Sequence, residues 1–160
     1  MMLIAVCFAS SACDSGLGPN QVRVQIGDER FVLDIAADEA SRNYGLKGLT
    51  EIPANGGMLF VFPQERIEVQ SFWMEDCLVD MDIIFLDPQG RVTATHTMKV
   101  EPPRREDETR LAYQYRLRPY PSILPAQFAI ELKAGTVRRL GVGVDQKIEL
   151  DLPRLKAMAQ

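Results

Sequence analysis

Carboxylates near the single tryptophan are the residues of this chain best suited to chemistry. Trp73 is followed closely by Glu75 and Asp76, and Asp80 and Asp82 come a few residues later. Asp80 and Asp82 stand two apart, so in a strand their side chains share one face. A carboxylate in a cleft can act as a general acid or base when its surroundings shift its pKa. Acid or base catalysis by Asp82 is therefore one hypothesis.

The same carboxylates also allow a structural interpretation. If Ile84 faces the core, Asp82 lies inside that core or at its rim, where an unpaired charge costs several kcal/mol. Such a group needs a partner, and structural ion-pair networks also gather charged residues. We favour the structural role for Asp82 over the catalytic one.

Trp73 is the centre of the predicted ligand site. Aromatic residues such as Trp73 and Phe72 most often belong to the core, and we expect Trp73 to be largely buried. The indole N–H needs a partner, however, and small ligands are held in aromatic clefts with a few polar groups. Trp73, Met74 and Asp76 are accordingly predicted as ligand-binding residues.

Other types of site are not indicated. His96 is the single histidine, so no pair of histidines can begin a metal site, and we expect none. No Gly-rich phosphate loop, nucleophile elbow or CxxC motif occurs, and we expect no cofactor. Cys77 has acidic neighbours, which raise a thiol pKa, so it is predicted to be unreactive packing.

Size and charge limit the class of protein. The chain has 160 residues, which suits one domain, and its 46% hydrophobic and 25% charged residues are ordinary for a globular fold. Its net charge is −4. Without a basic stripe this argues against a nucleic-acid partner, because phosphate binding needs clustered Lys and Arg.

The first residues differ from the rest. An uncharged apolar run precedes Ser10-Ser11-Ala12, which predicts a signal peptide over residues 1–12. Ser-Ser-Ala-Cys resembles the lipobox of bacterial lipoproteins, which implies cleavage after Ala12 and lipidation of Cys13; the alternative is an ordinary cleaved signal. Asp14 resembles an inner-membrane retention signal. We expect a polar linker over 13–21 and a protein in the periplasm or cell envelope, held at the inner membrane only by its lipid.

The elements that must position the candidate site are mostly short strands. Alternating or apolar runs predict strands at 22–26, 31–35, 56–62, 71–74, 81–87, 91–98, 128–132 and 147–150. Asp38 and Gly45 are the predicted cap and stop of a short helix, and a second short helix is predicted over 137–140. The Pro-rich segment 99–125 is predicted to be a long loop.

Together these elements predict a mainly β (α+β) fold. We expect a small barrel or a strongly curled mixed sheet of about seven strands with two or three short helices. The domain spans 22–152, and 153–160 form a short C-terminal helix. The strands of 56–62, 71–74 and 81–87 are expected in one sheet.

Five motifs resemble those of one bacterial and archaeal family, domain of unknown function 192. They occur in order and cover residues 22 to about 150: Arg42-x-x-Gly45-Leu46, Gly57-Met58-Leu59-Phe60-Val61-Phe62, Phe72-Trp73-Met74, Asp82-Ile83-Ile84-Phe85-Leu86-Asp87 and Ile130-Glu131-Leu132-Lys133-Ala134-Gly135. The resemblance implies a small, mainly β, commonly exported domain without an established activity.

The resemblance also adds two site residues. Arg42 and Glu131 occupy the other charged positions of the family and are candidates for a cluster with Asp82, although Asp38 could equally hold Arg42. The family usually has Lys or Arg, then Asn and Thr, after Trp-Met, where this chain has Glu75, Asp76 and Cys77. The site is unusually acidic here, which favours a neutral or cationic ligand.

Three functional hypotheses remain open. The first is a non-catalytic envelope domain, expected to be monomeric, that binds a small ligand or peptide beside Trp73. The second is a hydrolase or transferase that uses Asp82 or Glu131. The third is a protein-interaction domain, with an envelope protein as its partner, that uses the 99–125 segment.

Overall fold

A six-stranded mixed sheet is the frame of the chain in a computed structural model, which describes residues 16–160. Its strands, in chain order, are β1 (Gln21–Ile26), β2 (Glu29–Ala36), β3 (Gly56–Val61), β5 (Met81–Leu86), β6 (Val92–Met98) and β8 (Phe128–Lys133). Side by side they run β1-β2-β3-β8-β5-β6, with β2 and β3 parallel and every other pair antiparallel. The mainly β prediction is confirmed.

The sheet is open, so the barrel alternative is wrong for the described part of the chain. β1 and β6 are its two edges. Residues 147–150, expected to close the sheet, make one isolated bridge, from Lys147 to Arg91. Their contribution is the buried side chain of Ile148.

The strand expected at 71–74 does not belong to this sheet. β4 (Ser71–Phe72) pairs instead with β7 (Tyr120–Pro121) in a separate two-stranded sheet. The place between β3 and β5 is taken by β8, which pairs with both. The sequence predicts that three successive strands lie in one sheet, but in the structure the distant strand β8 lies between β3 and β5.

Helices cover parts of both faces, and the four α-helices among residues 16–160 exceed the two or three expected. They are α1 (Glu39–Tyr44), α2 (Arg110–Arg116), α3 (Thr136–Leu140) and α4 (Leu152–Met158), with a 3-10 turn at Gln64–Arg66. Asp38 and Ser41 form the capping box of α1, as the N-cap prediction requires, and Gly45 ends the helix at φ +57°. α2 lies inside the segment predicted to be a loop. No helix among residues 16–160 is long and apolar enough to cross a membrane.

The sheet separates two apolar clusters, which define its two faces. The helix face carries Leu33, Leu59, Ile84 and Ile130, against which α3 and α4 pack. The opposite face carries Phe60, Ile83, Phe85 and Ala129, and it packs against Phe72, Met74 and Tyr120. We call it the cleft face, because the candidate site described below opens on it. Neighbouring residues of one strand therefore serve different cores, as strand alternation requires.

Gly57 allows β3 to approach β8 beside the candidate site. Its φ is +152°, and a Cβ there would lie 2.1 Å from the Glu131 carbonyl oxygen. Any side chain at this position would push the two strands apart. Gly57 thus sets the position of the β8 backbone at Glu131.

Candidate functional site

A cleft of about 550 Å³ opens on the cleft face between α1, β4 and α2. Side chains from the sheet, including Phe60 and Glu131, contribute to its lining together with Trp73 and Phe72. Its charged lining residues are Glu39, Arg42, Lys47, Arg66, Glu75, Arg110 and Glu131. The volume falls within the usual range for small-molecule sites.

Trp73 lies at the surface of this cleft, and the expectation that it would be buried is wrong. Its exposed fraction is 48%. The chain here is extended, so alternation directs Phe72 and Met74 inward and Trp73 outward. Phe72 packs edge-on against Phe60 and Phe85, with ring centroids 4.9 and 5.5 Å apart. Phe72 therefore has the core role that the sequence assigned to Trp73.

Glu131 is the most unusual group in the cleft. It lies on β8 opposite Ile83 and Met58, and only 5% of the residue is exposed. No hydrogen-bond partner for its Oε2 exists among residues 16–160. Burial raises the pKa of this carboxyl to about 8, so it is largely protonated at neutral pH. A neutral carboxylic acid can donate one hydrogen bond and accept others.

Cys77, another lining residue, has a thiol with a raised pKa. It is the one free cysteine in the described part of the chain and is half-buried. Burial, reinforced by the charge of Glu131, raises its pKa to about 12. The predicted direction is confirmed, although burial is a larger cause than the acidic neighbours. A thiol with this pKa holds almost no thiolate at neutral pH.

Arg42 ties α1 to the end of β3. Its guanidinium donates to the main-chain oxygens of Ala37 and Val61, at 2.7 and 3.0 Å, and to that of Gln160. Burial, and then the nearby charge of Arg66, lower its pKa. Within residues 16–160 it forms no ion pair with an Asp or Glu side chain. Arg42 therefore attaches α1 to β3 through the main-chain oxygens of Ala37 and Val61. Among the described residues, the predicted cluster with Asp82 and the alternative pair with Asp38 are not formed.

Glu75 joins the cleft to α2. One of its oxygens accepts from Lys47 Nζ at 2.7 Å, and the other lies 2.8 Å from Gln114 Nε2 and 3.0 Å from Arg110 Nη2. Burial opposes ionisation of Glu75, but the bonds from Lys47 and Gln114 outweigh it and lower the pKa. Glu75 is thus ionised and fully partnered.

The remaining predicted site residues lie outside the lining of this cleft. Asp82 is completely buried on the helix face, where it accepts from Thr97 Oγ1 at 2.7 Å and from the backbone N–H of Val137 at 2.8 Å. Met74 is core, and Asp76 is exposed at φ +56°. The structure brings together Arg42, Trp73 and Glu131, and it does not bring Asp82 to them.

Several lining residues were missed by sequence reasoning, chiefly Lys47, Arg66, Arg110 and Gln114. For the last two a signal was present. Thr109 is a good N-cap, its side chain accepts from the Ala112 N–H, and no Pro or Gly follows before Pro119. Arg110 and Gln114 stand four apart and share one face of α2. The surrounding prolines concealed this helix.

Metal binding finds no support in the described residues. Within 16–160 no group of three or more His, Cys, Asp or Glu side chains could hold an ion. The His96 ring instead lies 2.7 Å, through Nε2, from the Pro121 carbonyl oxygen. His96 thereby joins β6 to the small sheet.

The chain belongs to the family named domain of unknown function 192 (DUF192), described as an uncharacterized ACR, whose model matches residues 22–150. The predicted resemblance is confirmed. Among proteins of curated function, none matches this chain.

Two solved structures are similar in fold. A protein of unknown function from Novosphingobium aromaticivorans DSM 12444 is 26% identical, with a TM-score of 0.61, and the match covers 81% of this chain and 84% of that one. A protein from Sinorhizobium meliloti 1021, described as a candidate transcription regulator, is also 26% identical, with a TM-score of 0.63 over 81% of this chain and 91% of that one.

Proposed function

We propose that this chain is an envelope-tethered domain that binds a small ligand in the cleft beside Trp73. The observation that carries the proposal is Glu131, a carboxyl that is 95% buried, lines the cleft and has no partner for Oε2. An unpaired buried polar group costs about 1–3 kcal/mol. A ligand that hydrogen-bonds to this carboxyl would remove that cost on binding.

The exposed aromatic surface supports the same proposal. Trp73 is half-exposed at the cleft, and Tyr44, another lining residue, is 68% exposed. Large rings left in water beside a buried polar group are typical of sites that stack a flat or apolar ligand. The Trp73 indole offers both an apolar face and an N–H donor.

The tether is proposed from the sequence, because residues 1–15, with the signal peptide and Cys13, lie outside the described residues. Cleavage after Ala12 and acylation of Cys13 would supply more than one lipid chain, which is enough for stable anchoring. Intact-mass measurement of protein from the membrane fraction tests this. We expect a chain that starts at Cys13 with added lipid mass, and a Cys13→Ser variant without it. A mature chain that starts at Cys13 at its peptide mass would remove the anchor.

Fluorescence of Trp73 tests ligand binding, since it is the single tryptophan and reports on this cleft. Wild type would be titrated with fractionated cell-envelope extracts and metabolite pools. We expect at least one fraction to shift the emission of wild type and of Glu149→Gln, an exposed control, but not of Glu131→Leu. An emission that no fraction alters, or a shift retained in Glu131→Leu, would contradict the proposal.

A carboxylate-dependent enzyme is the alternative that Glu131 itself favours. A carboxyl with a pKa of about 8 can take or give a proton near neutral pH. The second carboxylate of that hypothesis, Asp82, is bound on the other face of the sheet. Turnover of an extract component by wild type, lost in a folded Glu131→Gln variant, would support this alternative.

An interaction role has a separate observation in its favour. Four apolar side chains of the 99–125 segment are strongly exposed: Leu111, Tyr115, Ile123 and Leu124. Contiguous exposed apolar surface commonly marks a contact with another protein. Retention of an envelope protein by wild type and not by a Leu111→Ser, Tyr115→Ser variant would support this role, with Glu131→Gln as the control for the cleft.

A further inference from the structure

The cleft has a different charge from the protein that contains it. The chain as a whole has a net charge of −4, but the cleft is lined by four cations, Arg42, Lys47, Arg66 and Arg110, and three carboxylates, Glu39, Glu75 and Glu131. The cleft is therefore cationic even when every carboxylate is ionised, and more so while Glu131 is protonated. Such a surface attracts anions against the charge of the rest of the molecule.

The cationic side chains at the two ends of the cleft differ in their partners. Near α2, Lys47 and Arg110 share the carboxylate of Glu75, which partly compensates them. At the other end, Arg66 lies near Arg42, and after burial, the larger cause, its charge also lowers the pKa of Arg42. Two like charges this close favour an anion beside them, although Asp38 and Glu39 partly offset the charge of Arg42.

Arg66 has the donors that such a subsite needs. Its Nε lies 3.2 Å from Glu68, in a pair whose side chains are each 60% exposed and which is therefore weak. Its two Nη groups have no hydrogen-bond partner among residues 16–160. Two terminal guanidinium nitrogens can hold a carboxylate or phosphate through paired charge-assisted bonds.

Neutral donors and aromatic surface also line the cleft. Asn43 and Ser71 line the same cleft, and within the described part of the chain their side chains make no hydrogen bond. Gln70, which precedes Ser71, donates to the Arg66 carbonyl oxygen at 2.6 Å and so joins β4 to the 3-10 turn. Trp73 follows in the same segment with half of its surface exposed.

We propose that the cleft binds a small organic anion, a carboxylate or a phosphate monoester, whose charged group pairs with Arg66 and whose apolar body lies against Trp73. This inference rests on the proposed function and names its ligand class. It replaces the sequence-based expectation of a neutral or cationic ligand, because Asp76 does not line the cleft, Asp80 binds Lys99 elsewhere, and Glu75 is already partnered.

Four probes that share one ring separate charge from shape: benzoate, phenyl phosphate, benzamide and benzamidine. Each would be titrated at pH 6.5 and low salt into ¹⁵N-labelled protein, with the single Trp73 indole N–H resonance as the readout. We expect benzoate and phenyl phosphate to bind about tenfold more tightly than benzamide, and benzamidine to bind least, because one charge-assisted bond contributes about that factor. The tighter of the two anions identifies the carboxylate or phosphate source.

Two variants that remove the same charge assign the subsite. In Arg66→Gln we expect the benzoate Kd to rise about tenfold and the benzamide Kd to stay unchanged. Arg138→Gln, an exposed position on α3 at the opposite face, is the matched control and should change neither value. Glu68→Gln, which frees Arg66 Nε, should tighten benzoate binding slightly.

Equal binding of benzoate and benzamide, tighter binding of benzamidine, or equal effects of Arg66→Gln and Arg138→Gln would each overturn the inference. So would the absence of a Trp73 shift with all four probes. The proposed function is judged separately by the extract titration. A neutral or cationic ligand found there, sensitive to Glu131→Leu, would leave the proposed function in place and reject the anion subsite.

Discussion

Two buried carboxylates on neighbouring strands have opposite surroundings. Asp82 on β5 and Glu131 on β8 are one register position apart, since Asp82 lies opposite Leu132 and Glu131 opposite Ile83. Asp82 faces the helix face, where both of its oxygens accept hydrogen bonds. Glu131 faces the cleft, where Oε2 has no partner within the described residues. One carboxylate is thus partnered by the fold, whereas the other is open to a ligand.

The role of Asp82 follows from the helix that it contacts. The N-cap residue of α3 is Gly135, which has no side chain to cap the helix. The Asp82 carboxylate accepts from Val137 N–H in its place and puts a negative charge at the helix N-terminus. Asp82, for which the sequence favoured a structural role over a catalytic one, attaches a helix to the sheet.

The expected effect on the helix face is a loss of stability. Asp82→Ala removes two charge-assisted hydrogen bonds and leaves Thr97 and Val137 N–H without partners, which should reduce the free energy of unfolding by about 3 kcal/mol. Urea denaturation measures this. Asp82→Asn, which keeps one acceptor oxygen, should lose less. If Asp82→Ala lost under 1 kcal/mol, the contrast between the two carboxylates would fail.

On the cleft face, Glu131→Gln is expected to increase the free energy of unfolding, by an amount that depends on pH. The pKa of Glu131 is about 8 in the folded protein against 4.5 ordinarily. Between these values the folded protein keeps a proton that the unfolded chain releases, so wild-type stability falls as pH rises, by at most about 1.4 kcal/mol per pH unit. Glu131→Gln cannot ionise and should become increasingly more stable than wild type from pH 4.5 to 8.

Parallel unfolding curves of wild type and Glu131→Gln at pH 4, 6, 8 and 9 check this prediction. The difference should level off above pH 8, where Glu131 is ionised in both states. Glu149→Gln, which removes an exposed carboxylate, is the control and should show no such widening. A constant difference across the range would mean that Glu131 is solvated or partnered in the folded protein.

A smaller contrast is expected between adjacent aromatic residues. Phe72→Ala opens a cavity beside Phe60 and Phe85 and should cost about 2–3 kcal/mol, below the full range for a buried ring because Phe72 is partly exposed. Trp73→Ala removes a half-exposed ring and should cost under about 1 kcal/mol. Thermal or urea unfolding would measure both. Equal losses would place Trp73 in the core after all.

The smallest effect concerns Cys77. Its pKa of about 12 and its burial leave almost no exposed thiolate, so iodoacetamide at pH 7.5 should label it at least tenfold more slowly than an unfolded thiol. Labelling would be followed by mass spectrometry with and without urea. Labelling as fast in folded as in unfolded protein would contradict the described burial.

Local patterns allowed much of the fold to be predicted. The alternation of Val22, Val24 and Ile26 identified the first hairpin, and Asp38 with Gly45 bounded α1 almost to the residue. These features depend on neighbours a few positions away. The insertion of β8 between β3 and β5 was not predictable in this way, because its partners are about 40 to 75 residues distant in the chain.

The candidate site was predicted only in part, because it is built from residues that are distant in the chain. Arg42, Trp73 and Glu131 were named in advance and line one cleft. The sequence did not show that Phe72 points into the core and Trp73 points outward. Alternation indicates that neighbouring side chains lie on opposite faces, but it does not indicate which face is buried. Arg66 was missed, since a lone arginine in a turn carries no pattern of its own.

By itself the sequence determined the short strands and the capped helix, because periodicity and capping depend on residues only a few positions apart. It also identified the family and a segment rich in aromatic and acidic residues. Only the tertiary structure decided which face of the sheet each carboxylate occupies. In the sequence, Asp82 and Glu131 are both carboxylates in apolar strands, and nothing distinguishes their surroundings. Strand pairing placed one beneath α3, where Thr97 and Val137 complete its hydrogen bonds, and the other in the cleft, where burial without a partner keeps its proton on at neutral pH.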